Sequence, residues 1–445
     1  MRVHAILVLA VLLPLGLGGC MGGGSAKDDA PQVHEFNLVV HPGMSDTIPL
    51  YTQSDNSSAN VFAITFQENQ DDAQRVPGPE IRVKEGDTVV IHLQNLNGLT
   101  HTLHLHGGLI PWEDDGVDYL TQFPVMNGQE YTYTYKDLKA GTYWYHCHVD
   151  GAHHIDFGMY GAFIVEERHP PVHYDRDYTV MLDEWDNCHV HGNTEPVTQQ
   201  NASMGPDVQA TSDCFYRFVL DYLAQNQVFQ QTGKNLNGTT PPAVCTSLSQ
   251  LPENTPQERA LKASLMQGSG CTSHAHGDPP AYQQEREWWY ETMPVYNPTY
   301  NTFLINGKAF PDTPVFPVKE GETVRFRLIN AGNELHTWHP HGHTMTVIAK
   351  DGYLLDSPYK ADTLAIAPGE RYDVVMTFDN PGLWMIHDQM GQYTVNDNVH
   401  PGGMMACIAY DGFEGVDAFA MTRALDCNHE AVRILESRGQ EHHHG

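Results

Sequence analysis

VKEGDTVVIHLQN (83–95) and VKEGETVRFRLIN (318–330) are two copies of one segment, 235 residues apart. Apolar and polar positions alternate along both copies, Val and Ile are frequent, and a glycine turn divides each. That is the period of half-buried β-strands and not of a helix. The offset continues without a gap, so that His101, His104, His106 and Gly107 match His336, His339, His341 and Gly342. Farther on, GTYWYHCH (141–148) matches GLWMIHDQ (382–389) at an offset of 241, which sets His146 on His387, Cys147 on Asp388 and His148 on Gln389. Such a run of matches marks a duplicated domain.

YTYTYKDL (131–138) and TYWYHCHV (142–149) alternate in the same way, and clusters of Gly, Pro, Asn and Asp separate the segments. Many short strands of this kind give an all-β class: two Greek-key β-barrels or sandwiches, expected at 33–168 and 298–412. The stretch 169–297 differs. It opens with VMLDEWD (180–186), which reads as a strand leaving the first domain. It then carries Cys188, Cys214, Cys245 and Cys271, polar runs, and helical stretches near 216–231 and 258–267. It reads as a linker with a disulfide-braced insertion between the domains. Its HxH pairs, His189 with His191 and His274 with His276, read as surface histidines. With Cys407 and Cys427 the six cysteines other than Cys20 and Cys147 allow fifteen pairings, and spacing does not choose among them.

The 445 residues carry 55 acidic and 24 basic side chains, a formal charge of −31. That balance excludes nucleic acid and anionic membrane surfaces as partners. Arg2 and the apolar run 5–17 end in Leu-Gly-Gly-Cys at Cys20, the pattern of a bacterial-type lipoprotein signal peptide (1–20). The expectation is an exported protein, lipid-anchored through Cys20 at the outer face of the cytoplasmic membrane, periplasmic or extracellular. A flexible tether would occupy 21–32 and a solvated tail 413–445. Disulfides persist in such a compartment.

Strand parity organises the histidines. Residues two apart share a face. In HTLHLHG (101–107) His104 and His106 look one way and His101 the other; in YHCHV (145–149) His146 and His148 share a face that Cys147 opposes. If these strands are neighbours, four imidazoles gather on one side and His101 meets Cys147 on the other. A thiolate, two imidazoles and a weak thioether form the ligand set of a blue-copper electron-transfer site. The loop after Cys147 offers His153 or His154, and Met159, to complete it. The opposite side is an imidazole-only set suited to copper in a more reactive role, and His339, His341 and His387 repeat it in the second copy. Met385, Met390, Met404 and Met405 near the second motif read as core filler.

HTLHLHG, HCHVDGAHHIDFGM (146–159) and HTWHPHGHTMTV (336–347) resemble the motifs of the multicopper oxidases, the group of laccases, ascorbate oxidase and ceruloplasmin. The resemblance implies cupredoxin-like domains and up to four copper ions per subunit. His101, Cys147, His154 and Met159 would hold type 1 copper. His104 and His339 would hold type 2, and His106, His146, His148, His341 and His387 the type 3 pair. It implies transfer of electrons from a small-molecule, metal-ion or redox-protein reductant to O2, with water as product. In two-domain members the cluster lies between subunits, which implies a homotrimer.

Three departures qualify the likeness. Asp388 replaces a second type 1 cysteine, so the second domain should lack blue copper. Gln389 stands where an eighth cluster histidine is expected, leaving one type 3 copper weakly held unless His343 or His400 reaches in. His153 competes with His154. The runner-up is the copper nitrite reductases, which share the architecture but carry an aspartate within the first motif, where this chain has Thr102, Leu103 and Leu105. A non-catalytic copper or electron carrier is the third reading.

Overall fold

The computed structural model describes residues 30–185 and 300–411, apart from 42–44, 53–57, 98, 150 and 397–399. The signal peptide, Cys20, the tether up to residue 29, the cysteines and histidines of the insertion and the C-terminal tail lie outside the described residues.

The first sandwich has two four-stranded sheets. One runs β4 (Phe66–Gln67), β1 (Val33–Val40), β6 (Thr88–Asn95), β8 (Glu130–Tyr135); the other runs β5 (Ile81–Lys84), β10 (Tyr160–Glu166), β9 (Gly141–His146), β7 (His104–His106). A two-stranded ribbon, β2 (Ser45–Thr52) with β3 (Ser58–Ala63), lies beside them. The second sandwich has a six-stranded sheet, β12 (Thr302–Ile305), β11 (Arg176–Trp185), β14 (Thr323–Asn330), β19 (Arg371–Thr377), β16 (Met345–Lys350), β17 (Tyr353–Ala361). Its partner sheet is β13 (Val315–Val318), β21 (Met405–Tyr410), β20 (Leu383–Asp388), β15 (His336–Pro340), β18 (Leu364–Ile366). Among the described residues the α-helix is a short one, α1 (Gly151–Asp156).

The alternation read from sequence is what closes each core. Along β6 the pattern is strictly intermediate and buried in turn, with Val89, Ile91 and Leu93 inside. Val324, Phe326 and Leu328 do the same in β14, but that strand is almost wholly buried because the first sandwich covers its other face. The duplication extends to single hydrogen bonds. Asn95 Nδ2 donates to the carbonyls of Leu99 and Val125, and Asn330 Nδ2 donates to those of Glu334 and Ile366.

Strand pairing corrects one expectation. β1 runs parallel to β6, and β11 runs parallel to β14, so β11 is the second domain's counterpart of β1. The segment VMLDEWD therefore enters the second sandwich instead of leaving the first. The insertion falls between β11 and β12, inside the second domain, and not between the two domains. Alternation identified a strand there; it carries no information on which sheet the strand joins.

The two sandwiches share a polar seam. Arg327, fully buried, donates to Asp177 at 3.0 Å and to Thr142 Oγ1 at 2.8 Å, and Thr142 donates to Asp373 at 2.5 Å. Buried guanidinium groups of this kind are tolerated because carboxylates on both sides compensate the lost hydration. The seam fixes β9, the strand that ends in His146, against β14 and β19 of the second sandwich.

Candidate metal centre

β7 and β9 are antiparallel neighbours, with His104 opposite His146, Leu105 opposite Tyr145 and His106 opposite Trp144. This register puts His104, His106 and His146 on one face, where one nitrogen of each lies within 4.8 Å of the others. His148, just past the end of β9, sets its ring edge-on to that of His104, with the centroids 5.5 Å apart. Cys147 opposes them. It is a buried thiol outside any disulfide, whereas Cys407 is disulfide-bonded.

On the Cys147 side, Sγ stands 3.6 Å from His101 Nδ1 and 3.3 Å from His154 Nδ1. Ligands of one tetrahedral ion with bonds of 2.0–2.3 Å are separated by about 3.5 Å, so the three atoms are spaced as a shared metal needs. α1 supplies His154 and closes by donating the Met159 amide to the His154 carbonyl, while the Cys147 amide donates to the Met159 carbonyl. Met159 is fully buried in the same core cluster as Cys147. Burial, and then the neighbouring His154, hold the pKa of His101 well below its ordinary value. The ring is thus neutral and its lone pair available at neutral pH.

On the other side the tautomers are set by the backbone. His104 Nδ1 donates to the Asp115 carbonyl at 2.7 Å, and His146 Nδ1 donates to the Cys147 carbonyl at 2.9 Å. Each ring then presents Nε2 as an acceptor. His106 Nδ1 faces His146 Nε2 at 3.4 Å. Burial, then Arg371 and His104, push His106 down to about 4. His148 is the exception: the Asp118 carboxylate, 3.0 Å from its Nδ1, raises its pKa and fixes that nitrogen as the donor. Outer partners of this kind orient metal-binding imidazoles. Asp115 and Asp118 were not singled out by sequence; the DGVDY stretch after the first motif was the available signal.

The second domain repeats the register, with His339 opposite His387. His339 Nδ1 donates to the Asp362 carbonyl at 2.7 Å and His387 Nδ1 to the Asp388 carbonyl at 2.6 Å. His341 Nε2 and His387 Nε2 then face one another at 3.0 Å. With the proton of His387 committed to Nδ1, two nitrogens this close need either a proton or a metal ion between them. All seven cluster residues on strands or strand ends therefore have donor sets that fit copper, as do His101, Cys147 and His154.

The seven fall into two groups by ring contact. Among the described residues, ring contacts join His104, His106, His146 and His148, and separately His339, His341 and His387, but none links the two sets. Within the chain the seven histidines thus form two separate ring clusters.

Other expectations meet different outcomes. His343 does not reach toward the cluster: its Nε2 pairs with the Tyr410 hydroxyl at 2.7 Å and its Nδ1 with the His341 carbonyl at 2.9 Å. His400 Nδ1 donates to the Thr394 carbonyl. Gln389 is exposed, just past the end of β20, at the position aligned with His148 of the first domain. Met404 and Met405 are buried in the core, with Met385 and Met390 packed against it.

Family models described as multicopper oxidase match residues 68–170 and 272–412, together more than half of the chain. Copper resistance protein A of Escherichia coli is 29% identical over 312 residues, covering 68% of this chain and 41% of that protein. Laccase-6 of Oryza sativa subsp. japonica is 26% identical over 361 residues, covering 79% of this chain and 47% of that protein. The chain thus spans less than half the length of these curated relatives. The crystal structure of blue copper oxidase from Nitrosomonas europaea matches with a TM-score of 0.56 and 28% identity, covering 88% of this chain and 94% of that one. Matched motifs, duplicated sandwiches and paired copper-type ligand sets agree: the chain belongs to the multicopper oxidase family.

Proposed function

We propose that this chain is a laccase-like copper oxidase that withdraws electrons singly from a reductant and delivers them to O2. The observation that carries the reading is the division at Cys147. Its sulfur faces His101 and His154, while His146, one residue away, faces His104 and His106. Copper would supply one-electron redox chemistry at the first set and oxygen reduction at the second.

The chain's own residues link the two. From Cys147 Sγ the covalent path runs through Cα to the carbonyl oxygen, which accepts the His146 Nδ1 proton. Four one-electron oxidations of the reductant, with four protons, balance the reduction of O2 to two waters. Asp118 fixes the His148 proton on Nδ1 and leaves Nε2 for the metal side. The reductant class includes phenols, metal ions and a small redox protein.

The proposal includes a ring-like homotrimer in which the first domain of one subunit meets the second domain of the next. Two features support it: the two separate histidine groups, and exposed apolar side chains on both domains. Leu109, Trp112, Leu120 and Phe123 follow the first motif, and Leu335 lies beside the second. Apolar surface of that kind marks contact sites.

Oxygen uptake by the copper-loaded protein with a phenolic donor tests the reaction, run beside nitric oxide release from nitrite. Donor-dependent oxygen consumption is the expected result. Nitric oxide production without oxygen consumption would instead establish the nitrite reductase, and neither reaction would leave a carrier.

A further inference from the structure

The pocket of the second domain that matches the type 1 site is occupied by protein. His336 takes the position of His101 and Asp388 that of Cys147. Both are fully or nearly fully buried, as is Glu184 at the end of β11. His336 Nδ1 donates to Asp388 Oδ2 at 3.0 Å, and Nε2 donates to Glu184 Oε2 at 2.8 Å. The carboxylates lie at opposite nitrogens of the ring, so they cannot chelate one ion with it. Asp388 is further held by the Thr337 amide and hydroxyl and by the Met390 amide. Burial lowers the pKa of His336, but the two carboxylates outweigh it and leave the ring at about 9.

The network does not end in the second domain. Glu184 Oε1 accepts from the Asn333 amide at 2.6 Å and the Glu334 amide at 2.8 Å. Gly332 permits this approach, because a Cβ there would stand 2.0 Å from Glu184 Oε2. The Asn333 side chain then donates to Asp156 Oδ1 at 2.7 Å, and the Tyr300 hydroxyl donates to Asp156 Oδ2 at 2.9 Å. Asp156 is the last residue of α1, in the loop that carries His154 and Met159.

We infer that His336 is a positioning residue for the first domain's metal site: through Glu184 and Asn333 it anchors Asp156 and so fixes the ligand loop 151–159. The pocket that would hold a second blue copper has become a metal-free clamp on the loop of the first. Loop position matters because the weak thioether and the second imidazole both come from it, and outer partners tune such sites. The inference rests on the assignment of His101, Cys147, His154 and Met159 to copper.

The test uses the full chain and the variants Asn333→Ala and His336→Gln. Asn333 is exposed, so its replacement removes the link to Asp156 without opening the core. In metal-free protein, the Gly158 and Met159 amides of both variants should exchange with deuterium severalfold faster than in wild type, with the strands unchanged. In copper-loaded protein, the thiolate-to-copper absorption band and its spin-resonance hyperfine splitting should shift while the other copper signals stay. If His336→Gln fails to fold, Asn333→Ala decides the matter alone. Unchanged exchange and an unmoved band in a wild type that shows the band would overturn the clamp. A wild type with no thiolate band would overturn the copper assignment itself.

Discussion

At the scale of single residues, His336 shows how a lost ligand changes the chemistry of the residue left behind. His101 is neutral beside a thiol; its counterpart is an imidazolium between two carboxylates. A His whose folded pKa is raised from 6.5 to about 9 contributes stability that is full below about pH 6.5 and is lost as pH rises through about 9. The contribution is roughly 3 kcal/mol at most. Urea unfolding of the metal-free protein should therefore show stability falling between pH 7 and 10, and the fall should be smaller by about that amount in His336→Gln; equal falls in both proteins would contradict it. Sequence parity put Cys147 on the face of His101 and opposite the flanking imidazoles, as the strand register does, because alternation along a strand is a local property. It had no means to find Glu184 or Asn333, whose roles depend on contacts between distant segments. Asp388 at the position of the cysteine gave the expectation that the second domain lacks blue copper, but not the charge network that stands there.

At the scale of elements, the register of β7 on β9 gathers the imidazoles, and the turn after β7 orients them. Gly116 has φ +77°, and a Cβ there would stand 1.9 Å from the Leu103 carbonyl oxygen. Backbone oxygen cannot move aside as a flexible side chain can. Gly116→Ala would displace Asp115 from His104 and Asp118 from His148, with a strain of about 1–3 kcal/mol. The expected outcome is reduced copper at the imidazole cluster with the thiolate band retained, read by metal analysis beside visible spectra. Full copper content in the variant would show that the turn does not orient the ligands. The strands themselves were legible from their period, and the second sandwich from the repeat. The placement of β11 was not, since pairing partners are chosen by tertiary packing and not by the pattern within a strand.

At the scale of the whole molecule, the proposed homotrimer would make assembly part of the chemistry, because the two histidine groups of one chain make no ring contact with each other. In that proposed trimer, a heterologous interface closing into a ring would place each first domain against a neighbour's second domain. Chains carrying His104→Ala and His106→Ala, mixed during expression with chains carrying His339→Ala and His341→Ala, should recover activity that neither has alone. Random assembly leaves about a quarter of the interfaces with both halves intact. Recovery near that fraction supports a shared site, and no recovery in well-assembled mixtures would place the cluster elsewhere. The duplication made both halves visible in the sequence; their separation was not, because the repeat fixes each domain's contents but not how the domains face.

The central claim is that Cys147 binds copper apart from its flanking histidines. Copper content with visible and spin-resonance spectra, compared between wild type and Cys147→Ser, tests it most directly. The account predicts an intense thiolate-to-copper band in wild type, and in the variant the loss of that band and of a single copper per chain, with the imidazole-bound coppers kept. Loss of all copper together, or a wild type with no thiolate band, would contradict it.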